Sequence, residues 1–119
     1  MTTQDAGPDR LELLQGTLDV LILRTLELDR QHGQGIAREI QDMSGDSLLV
    51  DHGSLYPALK RLEKRKWIAG EWGVSSNNRR ARFYSLTPKG RKQLTVEVAR
   101  WHDLVAAMAR VLGTGQTEG

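Results

Sequence analysis

Six apolar residues near the C-terminus, Leu94, Val98, Trp101, Val105, Met108 and Leu112, recur at intervals of 4, 3, 4, 3 and 4 residues. That is a heptad seam, the pattern of a helix packed along another helix with a left-handed crossing. The stretch opens at Thr87-Pro88, a hydroxyl cap followed by proline at the first helical position, where its missing N–H costs no hydrogen bond. Running to Leu112, it makes a helix of about 25 residues and roughly 37 Å. A chain of 119 residues is one domain's worth and buries only about two-thirds of its unfolded surface. A helix this long outruns the core its own chain can offer. Its partner is the first helix of the same chain or the same helix of a second chain. The length favours a dimerisation helix over residues 88–112, aided by the first helix, in a homodimer.

The rest of the chain divides by hydrophobic period. Residues 1–10 hold Gly7 and Pro8 without apolar periodicity and read as a disordered tail. From Leu11 the pattern is helical, with Leu14, Leu18, Leu21, Ile22 and Leu26 at three- and four-residue spacing, Thr17 as candidate cap, and Asp29 to Gly33 as its end. A short second helix carries Ile36, Ala37, Ile40 and Met43 on one side and closes at Ser44-Gly45. Leu48-Leu49-Val50 is strand-like or a loop pinned to the core. A third helix opens near His52-Gly53-Ser54, with Ser54 as N-cap, and runs to about Lys66. Then the period becomes β-type: Trp67 to Trp72 and Arg82 to Leu86 flank a turn-rich tip, Gly73 to Arg79. The order is helix, helix, helix, hairpin, helix, a mostly α fold with a small β-hairpin. Residues 11–87 form one unit, 88–112 the long helix and 113–119 a flexible polar end.

Charge is unevenly spread. Between Lys60 and Lys92 eleven basic residues face two carboxylates, Glu63 and Glu71, a balance of +9 that leaves −7 for the remainder. One surface suits a polyanion and the other does not. On the third helix, at about 100° per residue, Leu55, Leu59 and Leu62 share a narrow arc. Opposite them lie Tyr56, Pro57, Lys60, Arg61 and Lys64. Lys60 and Lys64 repel at four-residue spacing, a small cost that phosphates offset. The arrangement is that of a recognition helix in a DNA major groove; the plainer reading is a basic solvated face. Arg79, Arg80 and Arg82 at the hairpin suit phosphates or a narrow minor groove, or else protect an exposed strand edge. Ser54 caps the helix and is a candidate phosphate donor. Trp101, in the middle of the seam, is either a large interface residue or a stacking platform for a planar effector.

Other chemistries are weakly represented. With no cysteine there is no disulfide, thiolate metal site or cysteine nucleophile. His32, His52 and His102 are scattered, His102 and Asp103 point apart on a helix, and neither a phosphate-binding glycine loop nor a nucleophile elbow occurs. No catalytic residue, metal or cofactor is expected. The N-terminus lacks the basic and apolar regions of a signal peptide. The longest apolar run, Leu104 to Ala109, falls far short of the roughly 20 residues that span a bilayer. A cytoplasmic protein without membrane contact is expected.

Several passages together resemble the PadR family of winged-helix transcriptional regulators: Leu18-Asp19-Val20-Leu21-Ile22-Leu23, His32-Gly33-Gln34-Gly35-Ile36-Ala37, Gly53-Ser54-Leu55-Tyr56-Pro57-Ala58-Leu59-Lys60-Arg61-Leu62-Glu63, Asn78-Arg79-Arg80-Ala81-Arg82-Phe83-Tyr84 and Leu86-Thr87-Pro88-Lys89-Gly90. The resemblance spans Leu11 to Leu112 and fits the branch with a single C-terminal helix. It implies a winged helix-turn-helix whose third helix enters the major groove, whose hairpin is the wing, and whose first and last helices form the dimer. It also implies a repressor of a pseudo-palindromic operator in double-stranded DNA, released by a small molecule. In some members a tryptophan matching Trp101 helps sandwich planar aromatic compounds. Gln34 departs from the aromatic residue many members carry there. The alternatives are a winged helix used for protein binding, or a DNA-coating protein with little sequence preference.

Overall fold

The computed structural model describes residues 15–114. Its elements are α1 (Gln15–Leu28), β1 (Gln31–His32), α2 (Gly33–Met43), α3 (His52–Lys64), β2 (Ile68–Val74), β3 (Arg80–Leu86) and α4 (Pro88–Leu112). The expected order holds, with the addition of the two-residue strand β1. It pairs antiparallel with the middle of β3, giving a three-stranded sheet in the order β1-β3-β2. Two residues carry no readable period, which is why the sequence pattern shows only a hairpin. The expected tail at 1–10, Leu11 and Leu14, and residues 115–119 of the tail expected at 113–119 lie outside the described residues; Gly113 and Thr114 follow α4.

The core is aliphatic but for Tyr84, in keeping with the 5% of aromatic residues in the chain. Leu18, Ile22, Leu23 and Leu26 of α1 meet Ile36 and Ile40 of α2, the four inward residues of α3 (Leu55, Ala58, Leu59 and Leu62), Ile68 of β2 and Leu94 of α4. Val50 anchors the loop before α3 to this core. Met43, expected inside, is 56% exposed because α2 ends there. Thr17 lies within α1 and is not its cap.

Asp51, and not Ser54, caps α3. Its carboxylate accepts from the Ser54 N–H at 2.8 Å, so Ser54 is already in the first turn. Asp51 is one of the residue types that satisfy free N–H groups at a helix start. At the other end, Lys66 N–H donates to Glu63 O and Trp67 N–H to Leu62 O, with Lys66 at φ +66°. This is a Schellman closure with lysine where glycine is usual, and it ends α3 two residues earlier than expected.

The start of α4 is fastened to that same corner. Thr87 Oγ1 accepts from the Gly90 N–H at 2.9 Å and donates to the Lys66 carbonyl at 2.7 Å, and the Thr87 N–H donates to the Trp67 carbonyl. Gly90 is buried, and a Cβ built on it would stand 1.9 Å from the Trp67 carbonyl oxygen. The helix ends at Gly113, left-handed at φ +72°, whose N–H bonds Ala109 O. The radius of gyration is 16.3 Å, against about 13 Å for a compact fold of this length. The fold is therefore extended, as a long helix only partly covered by its own chain would make it.

Candidate nucleic-acid interface

Helical geometry sorts α3 into a buried strip and an exposed one, with Arg61 and Glu63 half-buried between them. Leu55, Ala58, Leu59 and Leu62 are buried, while Ser54, Tyr56, Pro57, Lys60 and Lys64 are exposed. The Tyr56 ring leans back on α2: a Cβ at Gly33 would lie 3.0 Å from its Cε1. A side chain at position 33 would push the Tyr56 ring aside by a few tenths of an ångström. His52 meets Tyr56 edge-on, with ring centroids 5.7 Å apart.

The wing stands beside this strip. β2 and β3 pair from Ile68↔Leu86 to Val74↔Arg80, and the tip is held by Ser75, whose N–H and hydroxyl both bond the Arg79 carbonyl. Strand alternation puts Arg80, Arg82 and Tyr84 on one face, across from Val74, Trp72 and Gly70. Arg80 stacks 4.4 Å above the Trp72 ring, and Arg82 lies 5.8 Å from it. The opposite face carries Phe83, covered by Arg30 and met edge-on by His32. Between the wing and the start of α2 lies an open groove of about 670 Å³, reached by Tyr56, Trp72, Arg38, Arg79, Arg80 and Arg82. Glu39 and Asp42 also reach it, so its cationic character comes chiefly from the wing.

Two arginines sit differently from the expectation. Arg61 does not point outward with Lys60 and Lys64. Its Nη2 donates to Asp19 Oδ1 of α1 at 2.8 Å, with both side chains mostly buried. Its Nε is the one buried side-chain polar atom without a partner among the described residues. The reason is angular: 61 lies about 140° around the helix from 56, at the edge of the exposed strip toward the buried Ala58. Arg82, expected on DNA, bonds the Glu63 carboxylate of α3. Arg79 and Arg80 remain exposed. Burial raises the Asp19 carboxyl above its usual range despite the Arg61 hydrogen bond that pulls it down, and Arg65 and Glu97 act more weakly in opposite senses. Burial also raises the Tyr84 phenol, helped by the Glu63 charge.

On α4 the seam divides. Leu94 is 3% exposed and belongs to the chain's own core, so it is not a free dimer contact. Beyond it Val98, Trp101, Val105, Met108 and Leu112 are exposed, Trp101 by 48%, and Leu104 and Val111 extend the apolar face. The Glu27–Arg91 pair ties α1 to the first turn of α4.

Sequence reasoning missed Asp19, Asp51, Glu63, Gly33 and Trp72. A carboxylate amid the apolar stripe of α1 was a usable signal for Asp19, because a buried acid requires a cation. Nothing local announces that Glu63 meets Arg82, nineteen residues away. Among the described residues no group of acidic or histidine side chains is placed to hold a metal, and no helix is long and apolar enough to cross a membrane.

The transcriptional regulator PadR-like family matches this chain over residues 22–96. An uncharacterized protein of Lysinibacillus sphaericus is 32% identical over 96 residues, covering 80% of this chain and 87% of its own length. Among solved structures, a PadR family transcription regulator from Clostridium difficile is 29% identical, with a TM-score of 0.69 over 80% of this chain and 97% of that one. A PadR family transcriptional regulator from Eggerthella lenta is 27% identical, with a TM-score of 0.71 over 85% and 86%. A Streptococcus mutans protein at 23% identity, TM-score 0.74 over 91% and 98%, shares the fold.

Proposed function

The chain belongs to the PadR-like family of transcriptional regulators, which makes it a DNA-binding regulator, and we propose that it is a homodimeric repressor of a pseudo-palindromic operator. The observation that carries this reading is the exposed Tyr56-Lys60-Lys64 strip set beside a wing whose Arg79 and Arg80 are also exposed. We assign base or phosphate contacts to Tyr56, Lys60 and Lys64 and a phosphate contact to Ser54. Arg79 and Arg80 hold the flanking backbone or minor groove. In this reading Arg61 and Arg82 act on the interface through their carboxylate partners.

The test is enrichment of a random duplex library by the wild-type protein, followed by titration of the enriched site and a scrambled one at two salt concentrations. Enrichment of an inverted repeat, with binding about 10³-fold or more tighter than to the scrambled duplex, is expected. Weak binding that ignores sequence and falls steeply with salt supports a DNA-coating protein instead.

The exposed apolar side of α4 supports pairing of two copies, because contiguous apolar faces of this kind mark interaction surfaces. Val105→Asp is expected to leave the fold of the single chain intact by circular dichroism, since the residue is exposed there, and to lower the melting temperature only by the stabilisation that pairing contributes. It should convert the dimer to a monomer in sedimentation and weaken operator binding by at least about 100-fold, because a monomer holds the DNA at one half-site instead of two. We assign Trp101 to a planar aromatic effector at that interface. Adding planar aromatic compounds to the operator titration should lower affinity and quench tryptophan emission together; a varied panel that does neither leaves Trp101 a packing residue.

A further inference from the structure

We propose that Asp19 and Glu63 are positioning residues that set the roll of α3 about its own axis, and through it the sequence specificity of DNA binding. The inference rests on the DNA-binding reading of α3 given above. At about 100° per residue, positions 61 and 63 lie on opposite flanks of the Tyr56-Lys60-Lys64 strip. Each flank is held by an ion pair to a different body: Arg61 to Asp19 of α1, and Glu63 to Arg82 of the wing.

The leucine strip beneath holds α3 down by an attraction that is itself non-directional. A roll of about 20° carries a side-chain tip roughly 6 Å from the helix axis through about 2 Å. That displacement exceeds what a hydrogen bond to a base edge tolerates. Charge-assisted hydrogen bonds on both flanks supply the direction the leucines lack.

The pair at Asp19 is also poorly explained as a stabilising contact. Its burial raises the carboxyl pKa even with Arg61 alongside. The stability this group brings is therefore complete below the ordinary carboxylate range and is lost as pH rises through its raised folded value. The Arg61 Nε is left unpartnered beside it. Positioning accounts for a pair that stability does not.

The experiment compares Asp19→Asn and Glu63→Gln with wild type on the enriched duplex and the scrambled one. Removing a carboxylate beside a polyanion strengthens sequence-blind attraction. If these carboxylates are bystanders, both affinities rise together and their ratio stays within about twofold of wild type, which overturns the proposal. If they position α3, the scrambled duplex binds as well as before or better while the enriched duplex binds more weakly. The ratio then falls by about tenfold or more, on the scale of one misread base pair. Library enrichment repeated with each variant should return a broadened motif, a readout that loss of stability alone does not move. Glu63 is only part-buried, so Glu63→Gln carries the test even if Asp19→Asn unfolds. A wild type that enriches no sequence overturns the operator reading and this inference with it; variants that discriminate as well as a discriminating wild type overturn this inference alone.

Discussion

Gly90→Ala is expected to lower the melting temperature by about 12–24 °C, or to prevent folding altogether. The added Cβ would lie 1.9 Å from the Trp67 carbonyl oxygen and 2.9 Å from Leu86 Cδ1. The first of these is backbone, fixed in turn by the Thr87 N–H, and cannot rotate away. Relief requires α4 to slide off the corner between α3 and β2, which breaks the Thr87 hydrogen bonds to Lys66 and Trp67. Overpacking with backbone movement costs about 3 kcal/mol, and each kcal/mol is worth about 4–8 °C for a domain near this size. Gly16→Ala is the control. No atom lies within 4 Å of its Cβ, so the better helix former should be neutral or stabilise by up to about 1 kcal/mol. Circular dichroism melts of the two variants check both expectations.

Lys60→Glu combined with Lys64→Glu is expected to abolish operator binding, by about 10³-fold or more, while lowering the melt by only a few degrees. Both side chains are exposed and make no ion pair among the described residues, so the fold loses little beyond the favourable charge of Lys64 in the last turn of α3, worth about 0.3–1 kcal/mol. Taking one such lysine off the DNA costs about 1–3 kcal/mol, each reversed charge adds repulsion, and a dimer presents the change twice. The slope of log affinity against log salt should flatten by about 0.9 for every phosphate that is no longer neutralised. Fluorescence anisotropy at several salt concentrations measures both. Unchanged affinity would remove α3 from the interface.

The strips of α3 were readable because its leucines and lysines follow the helix period. The long final helix was readable from its heptad and from Thr87-Pro88. What the sequence concealed were distant pairings and backbone details. A basic residue on α3 reads as outward until the partner at Asp19 is seen, forty-two positions earlier. Ser54 and Asp51 are both good capping residues, and only backbone geometry separates them: Asp51 is extended at φ −85° and ψ 157°. The seam of α4 is uniform in sequence, yet Leu94 faces inward and Trp101 outward, because the body of the chain ends between them.

That last division has a mechanical consequence. From Leu94 to Leu112 the helix extends about 27 Å beyond its last buried residue, while its root is fastened to the corner where α3 ends. It behaves as a lever with the DNA-reading head fixed to the short arm. In the proposed homodimer, a tilt of about 10° at the root, acting over about 27 Å, would shift one head against the other by about 5 Å. This exceeds one base-pair step of about 3.4 Å. Two heads reading half-sites one helical turn apart would then fall out of phase with the duplex while each stayed folded and basic. In that reading a ligand wedged between the far ends of the two helices would only have to tilt them to separate the protein from its site.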